Sequence, residues 1–154
     1  MRLWRETPTG WSAVAVDGPL SVGCATIVPF VAAGSAGAVL IVAPGAAVTR
    51  NGAVPLGAAV LAARDEIVIG NDRLVFWPYA PGEPGLFDGP GGERCARCAT
   101  ALVATDVCIR CPACRAHHHA TDGLPCWTYD ERCGACGRLR SEFAWAPGDG
   151  DAAC

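Results

Sequence analysis

Residues 95–136 decide the fold of the C-terminal part of this chain, and they read CARCATALVATDVCIRCPACRAHHHATDGLPCWTYDERCGAC. Eight of the ten cysteines of the 154-residue chain fall inside this stretch, together with all three histidines. A Cys-x-x-Cys pair supplies two ligands from one tight turn, and tetrahedral zinc needs four nitrogen or sulfur donors. The stretch therefore predicts a small zinc-binding domain that needs its metal in order to fold.

The donors of this predicted domain can be grouped in pairs along the chain. The pairs are Cys95 with Cys98, Cys111 with Cys114, one histidine of the run 117–119 with Cys126, and Cys133 with Cys136. Eight donors make two closed sites, so we expect two zinc ions in a structural rather than a hydrolytic role. A sequential zinc ribbon remains an alternative, because the first two Cys-x-x-Cys pairs also have the spacing to share one ion.

The cysteines are interpreted as metal ligands rather than as a disulfide framework. Met1 to Trp11 carries Arg2, Arg5 and Glu6 with no apolar core following at once, so no signal peptide is visible. Disulfides are characteristic of secreted proteins, and we therefore expect a cytoplasmic location with reduced cysteines. A catalytic cysteine is not predicted, because every cysteine has either a ligand partner or no obvious base beside it.

The order of the ligand pairs resembles the RING and PHD superfamily of treble-clef-like zinc fingers. The run from Cys111 to His119, followed by Cys126 and Trp127, is similar to the Cys-Pro-x-Cys, His-His and Cys-Trp signature of bacterial RING-type fingers. The resemblance implies a cross-brace within residues 93–140, in which the ligand pairs interleave. One ion would be held by Cys95, Cys98, His119 and Cys126, and the other by Cys111, Cys114, Cys133 and Cys136.

Two departures from the family pattern leave the ligand set open. The gap from His119 to Cys126 is longer than is usual in the family, so His118 or even His117 is an alternative ligand. Cys108 forms a further Cys-x-x-Cys motif with Cys111, so the second pair could instead be Cys108 and Cys111. If it is not a ligand, Cys108 is predicted to be a small buried apolar residue, which is the usual behaviour of a free cysteine.

The RING resemblance also implies a function. It predicts an adaptor or E3-like ligase component of a bacterial ubiquitin-like conjugation pathway, which docks an E2-like enzyme and has no covalent catalytic residue of its own. Trp127 and Arg138 are the residues expected to contact that partner. Trp127 directly follows the ligand Cys126, and Arg138 lies just beyond the last ligand, Cys136. The alternative is a non-catalytic, zinc-stabilised scaffold for protein–protein interaction, which would need the same ligands to fold.

Residues 1–78 are predicted to form a second, mainly β domain. Short β-branched and apolar runs recur between turn signals, a pattern typical of a β-sandwich. The predicted strands are residues 11–16, 25–31, 38–42, 46–49, 58–62, 66–69 and 73–77. Asn51-Gly52 predicts a type I′ hairpin turn, because both residues tolerate positive φ, and residues 70–72 predict a second turn of the same character.

The run from Asn51-Gly52 to Asp65-Glu66-Ile67 and Gly70 resembles the C-terminal half of a forkhead-associated (FHA) domain. In that family an Asn-Gly turn is followed by a leucine, by Asp-Glu-Ile and by a strand that ends in Gly. The family binds phosphothreonine through an early Gly-Arg pair, a Ser and His loop and an Asn on the adjacent loop. Asn51 matches the Asn, but neither of the other two motifs precedes it. The resemblance therefore implies an FHA-like fold more than phosphothreonine binding.

The remaining segments are predicted as connections. Residues 79–92 are rich in Pro and Gly and are expected to form a linker between the two domains. Residues 141–154 are expected to form a tail.

Charge and hydropathy argue against two classes of partner. The net charge of −3 offers no general attraction for nucleic acid or an anionic membrane. No charged residue lies between Asp17 and Arg50, a stretch long enough to cross a bilayer. Pro29, Gly34 and Pro44 interrupt it, which strands tolerate better than a spanning helix does. We therefore expect a protein partner, and the sequence leaves the oligomeric state open.

Overall fold

The computed structural model describes residues 1–32 and 35–148, which divide into two compact units. The N-terminal unit is built mainly from residues 1–80, and the C-terminal unit from residues 81–145. Within the described ranges, the regular elements are twelve β-strands and one 3₁₀ helix at Arg140–Ala144. The prediction of a mainly β protein is confirmed.

The N-terminal unit contains two antiparallel sheets. The first comprises β1 (Arg2–Thr7), β2 (Gly10–Ala15), β6 (Val48–Arg50), β8 (Glu66–Ile69) and β9 (Asp72–Trp77), in the order β2-β1-β9-β8-β6. The second comprises β3 (Leu20–Val22), β4 (Ala25–Ala32), β5 (Ser35–Val42) and β7 (Ala58–Leu61), in the order β3-β4-β5-β7. All seven predicted strands correspond to strands of these two sheets, with ends that differ by a few residues.

The core of this unit lies between its two sheets. Ile27 and Leu40 project from one sheet and Ile67 and Phe76 from the other, and all four are fully buried in a single cluster. Successive side chains of a strand point to opposite faces, so a buried residue at every second position is what such a sandwich requires.

The Asn51-Gly52 turn forms as predicted but does not join two paired strands. Both residues have positive φ, 50° and 78°, and the backbone of Arg50 and Ala53 closes the turn with hydrogen bonds in both directions. After the turn the chain crosses to β7 in the other sheet, whereas β6 pairs with β8. The hairpin interpretation is therefore wrong, because local φ preference defines a turn without defining the partner of the next strand.

Two strands of the N-terminal unit, β1 and β3, are not among those predicted from the sequence, and β1 is an interior strand of the first sheet. It pairs with β2 on one side and with β9 on the other. Only Leu3 of this strand is buried, while Arg2, Arg5 and Glu6 are not, so the segment lacks the apolar run that marks the other strands. Its position in the sheet is set by tertiary pairing.

The C-terminal unit contains a small antiparallel sheet of β10 (Pro84–Leu86), β11 (Val107–Arg110) and β12 (His117–His119), in that order. The first of these strands lies inside the range 79–92 that the sequence predicts as a linker. Phe87, directly after β10, is buried in a cluster with Cys95, Leu102, Cys108 and Cys126. Much of the Pro/Gly-rich segment is therefore part of this unit, because the sheet pairs its backbone and the cluster buries its one phenylalanine.

The predicted tail also begins inside ordered structure. The 3₁₀ helix spans Arg140–Ala144, and its Phe143 is buried. The end of the predicted tail, including Cys154, lies outside the described residues. Among residues 1–32 and 35–148, no helix has the length and apolar character that crossing a membrane demands.

Candidate metal centres

Three Cys-x-x-Cys segments of the C-terminal unit fold into turns of the same form. The residue after each second cysteine has positive φ: 59° at Ala99, 69° at Arg115 and 71° at Gly137. Its backbone N–H donates to the carbonyl oxygen of the first cysteine of the segment, at 2.9–3.0 Å. Each turn thereby directs two Sγ atoms towards one point, which is the geometry of a metal-binding knuckle.

The knuckles combine with β12 and the segment after it into two clusters of donors. The first cluster is Cys95, Cys98, His119 and Cys126, and the second is Cys111, Cys114, Cys133 and Cys136. Within each cluster the candidate ligand atoms all lie within 4.8 Å of one another. Each cluster can hold one metal ion. The sequential alternative would place the first two knuckles in one cluster, whereas here they lie in different clusters.

The distances within the clusters fit a tetrahedral ion. Metal–sulfur bonds of about 2.3 Å in a tetrahedron place two sulfur atoms about 3.8 Å apart, and a sulfur and an imidazole nitrogen about 3.6 Å apart. In the second cluster, Sγ of Cys111 is 3.9 Å from that of Cys136, and Sγ of Cys114 is 3.8 Å from that of Cys133. In the first cluster, Sγ of Cys98 is 3.5 Å from Nδ1 of His119. A disulfide would need about 2.05 Å between the sulfur atoms.

The three consecutive histidines have three different surroundings. They form β12, in which neighbouring side chains point to opposite faces. His119 joins the first cluster, whereas Nε2 of His118 lies 3.7 Å from Sγ of Cys133 and accepts the Gly134 N–H at 3.2 Å. His118, the alternative ligand of the sequence analysis, therefore borders the second cluster instead of joining the first. One strand thus connects the two candidate sites.

His117, the first of the three, belongs to a polar network. Its Nε2 accepts a hydrogen bond from Nε of Arg110 at 2.9 Å, so its proton resides on Nδ1, which lies 2.7 Å from Oε1 of Glu93. The ring is almost completely buried. Both of its nitrogen atoms are therefore engaged, and His117 is a structural residue rather than a metal ligand.

Cys108 belongs to neither cluster. It lies on β11 opposite His119 and is buried beside Phe87 and Leu102. Burial raises the pKa of its thiol to about 11. Cys108 is therefore a neutral packing residue.

Burial and hydrogen bonding shift the pKa values of the cluster thiols in different directions. Hydrogen bonds from the side chain and backbone of Thr100 lower the pKa of Cys98 to about 6, which favours the thiolate that binds a metal. Burial raises the pKa of Cys126 to about 12 and also raises that of Cys111. A buried group of sulfur atoms becomes a set of thiolates only with a nearby cation, and a bound metal ion supplies that charge.

The two residues predicted to contact a partner differ in exposure. Trp127 is only 8% exposed, and its ring packs edge-on against His118 and stacks on Phe143 at 6.3 Å. Trp127 is thus part of the core of the unit rather than of its surface. Arg138 lies at the surface, where Nη1 is 3.4 Å from Oε2 of Glu142.

The first and third knuckles are in direct contact. A Cβ added to Gly134 would lie 2.5 Å from the carbonyl oxygen of Ala96 and 3.3 Å from Cα of Arg97. These are backbone atoms of the first knuckle, which cannot rotate away. Only glycine at position 134 allows the two knuckles to approach this closely.

We expect Gly134→Ala to lower the free energy of unfolding of the C-terminal unit by about 1–3 kcal/mol, the usual cost of overpacking. The same clash should weaken metal binding, which a competition titration with a chromophoric chelator measures. Gly123→Ala is the matched control, because a Cβ there meets nothing within 4 Å. Equal behaviour of the two variants would contradict the contact between the knuckles.

A scan against models of protein families finds no match to this chain, and searches of curated proteins and of solved structures likewise return none. The RING and FHA resemblances therefore remain predictions from motifs.

Proposed function

We propose that the C-terminal unit is a RING-type finger with two zinc ions, and that the chain is an adaptor or E3-like component of a bacterial ubiquitin-like conjugation pathway. The main support is the interleaved pairing of the donors, in which the first knuckle shares a cluster with His119 and Cys126 while the second shares one with the third. Interleaved pairing is the arrangement that the RING resemblance implies. Zinc is the metal that suits tetrahedral sites with three or four cysteines and no open position.

The proposed role of the metal is structural. Each cluster supplies four protein ligands, so no position is left for a reactive water molecule. The finger would therefore act through its surface. A ligase of this kind forms no covalent bond itself; it holds the thioester of an E2-like enzyme in a reactive geometry and lowers the entropic barrier to aminolysis.

The surface that we propose for the E2-like enzyme is the depression of about 350 Å³ beside the first cluster. Its lining is mainly apolar and includes Leu124, Pro125 and Tyr129, together with Arg97 and two donors of the first cluster, Cys98 and Cys126. Tyr129 is 78% exposed, although it is large and aromatic. Exposed aromatic residues and arginines are enriched among the residues that dominate interface energies. This surface replaces Trp127 in the proposal.

The proposal is tested by discharge of an E2-like enzyme from the same organism, charged with its ubiquitin-like modifier as a thioester. Free lysine is added as acceptor, because the chain itself contains no lysine. We expect the zinc-loaded chain to accelerate loss of the thioester at least tenfold. Tyr129→Ala should lower the accelerated rate about tenfold.

Leu86→Ala provides the control for that experiment, because Leu86 is a similarly exposed apolar residue outside the depression. It should leave the rate unchanged. A chain that carries two zinc ions but neither binds nor stimulates the charged enzyme would refute the ligase role.

The second candidate function is the non-catalytic scaffold. The burial of Trp127 favours the scaffold, because the tryptophan that was expected to contact the E2-like enzyme lies in the core instead. A scaffold would bind a protein through the same apolar depression without changing the rate of thioester discharge.

A further inference from the structure

One short strand of the C-terminal unit reaches both candidate metal sites. On β12, His119 is a donor of the first cluster, and the adjacent His118 points to the opposite face. There Nε2 of His118 accepts the N–H of Gly134 at 3.2 Å and lies 3.7 Å from Sγ of Cys133, a donor of the second cluster. Any movement of β12 therefore acts on both clusters.

The ring of His118 is held firmly by the core of the unit. It is fully buried, and Trp127 packs edge-on against it with ring centroids 5.2 Å apart. Trp127 stacks in turn on Phe143, and its backbone N–H donates to the carbonyl oxygen of His119 at 3.0 Å. The ring therefore keeps its position relative to β12 and transmits a displacement of the strand.

The peptide group that His118 fixes comes directly after a metal donor. The N–H of Ala135 is directed to Sγ of Cys133 at 3.4 Å, whereas the N–H of Gly134 donates to His118. Residues that hydrogen-bond around the donors of a metal ion orient those donors, and their mutation typically changes the affinity by about 10–100-fold. His118 thus orients the Cys133 sulfur without binding the ion.

The first knuckle is fastened to the same two elements. The N–H of Ala96 donates to the carbonyl oxygen of His117 on β12 at 3.0 Å. The guanidinium of Arg97 donates to the carbonyl oxygen of Arg132, which precedes the third knuckle, and to Oδ2 of Asp130 at 3.3 Å. An ion that fixes the first knuckle therefore also restrains the approach to the third.

We infer that His118 is a positioning residue through which an ion in the first cluster strengthens metal binding by the second. The first ion binds His119 and fixes β12, which places the His118 ring against the third knuckle. Linkage is reciprocal, so an ion in the second cluster strengthens the first by the same factor, and such couplings are typically about 5–150-fold. The inference rests on the two metal sites of the proposed function, but not on the ligase role.

Cadmium-113 is a suitable probe, because its NMR signal distinguishes a site of four sulfur atoms from one of three sulfur atoms and a nitrogen. The metal-free full chain is loaded with cadmium-113 against a competing chelator, and the dissociation constant of each cluster is read from its own signal. We expect Cys95→Ser, which empties the first cluster, to raise the dissociation constant of the second about tenfold.

Two substitutions of His118 test its role in this coupling. His118→Leu keeps an apolar side chain of similar size but has no acceptor for the Gly134 N–H, so it should raise the dissociation constant of the second cluster about tenfold. Adding Cys95→Ser to it should then change that constant less than twofold. His118→Gln retains an acceptor of similar reach and should restore most of the affinity and of the coupling.

Phe143→Leu is the control for packing, because Phe143 supports Trp127 but belongs to neither cluster. It should leave the coupling intact. The inference would be overturned if Cys95→Ser left the second cluster unchanged, if His118→Gln were as impaired as His118→Leu, or if Phe143→Leu removed the coupling equally. In these cases both ions still bind and the RING-type proposal stands, whereas a wild type that binds fewer than two ions contradicts both.

Discussion

Replacement of Cys133 by serine is expected to lower the bound zinc from two ions per chain to one and to destabilise the C-terminal unit severely. Cys133 is buried and contributes one donor to the second cluster. Structural zinc sites have apparent binding free energies of about 10–16 kcal/mol, which matches or exceeds the whole stability of most domains. Native mass spectrometry counts the ions, and hydrogen exchange follows the loss of structure.

Four further variants make this prediction specific to the interleaved pairing. Cys95→Ser should remove the ion that Cys133→Ser retains, and the double variant should bind none. Cys108→Ala should keep both ions, because Cys108 lies outside both clusters. If Cys95→Ser and Cys111→Ser removed the same ion, the sites would be sequential and the RING-type proposal would be wrong.

In the N-terminal unit, Asp65→Ala is expected to lower the free energy of unfolding by about 3 kcal/mol. The carboxylate is buried and accepts hydrogen bonds of 2.7 Å from Nε of Arg50, from Nδ2 of Asn51 and from the backbone N–H of Ala62. Its removal leaves these donors without their acceptor. Asp65 thereby connects the Asn51-Gly52 turn to the loop before β8.

Urea unfolding of the N-terminal unit, followed through the amide signals of β8 in NMR spectra, measures this effect. Glu66→Ala is the control from the neighbouring position. Its carboxylate forms a surface ion pair with Arg73 at 2.6 Å, so its loss should cost no more than about 1 kcal/mol. A loss of similar size in both variants would contradict the special role of the buried carboxylate.

The contribution of Asp65 should also depend on pH. Burial alone would raise its pKa, but the hydrogen bonds from Ala62, Arg50 and Asn51 outweigh burial and hold the pKa below the ordinary value of 3.8. A lowered pKa in the folded state stabilises the fold fully above the unfolded value, and the effect is lost as the pH falls through the folded value.

The stability difference between the wild type and Asp65→Asn checks this dependence. It should be constant from neutral pH down to about 5 and should shrink below about 4. A difference that stays constant down to pH 3 would show that the ionised form of Asp65 is not what stabilises the fold.

The strands that the sequence predicted correctly share one physical property. In β4, β5, β8 and β9, apolar residues alternate or run continuously between turn residues, so burial and β propensity agree. β1 fails this criterion because its neighbours supply the backbone pairing and only Leu3 needs to be apolar. β10 was not predicted as a strand, because its Pro and Gly residues are typical of a linker.

The donor pairs illustrate the same division within the candidate sites. A Cys-x-x-Cys motif is local, so its turn and its two convergent sulfur atoms follow from sequence spacing. The choice among three adjacent histidines is not local. It depends on which face of β12 is directed towards each cluster, and that is set by the pairing of β12 with β11.

The sequence by itself thus determined a mainly β chain, the knuckles and the set of residues able to hold two metal ions, because each of these depends on residues close together in the chain. Tertiary structure alone decided which knuckles share a cluster of donors, which histidine joins them, and that Trp127 is buried. These features depend on contacts between residues far apart in sequence, and local propensity carries no information about such contacts.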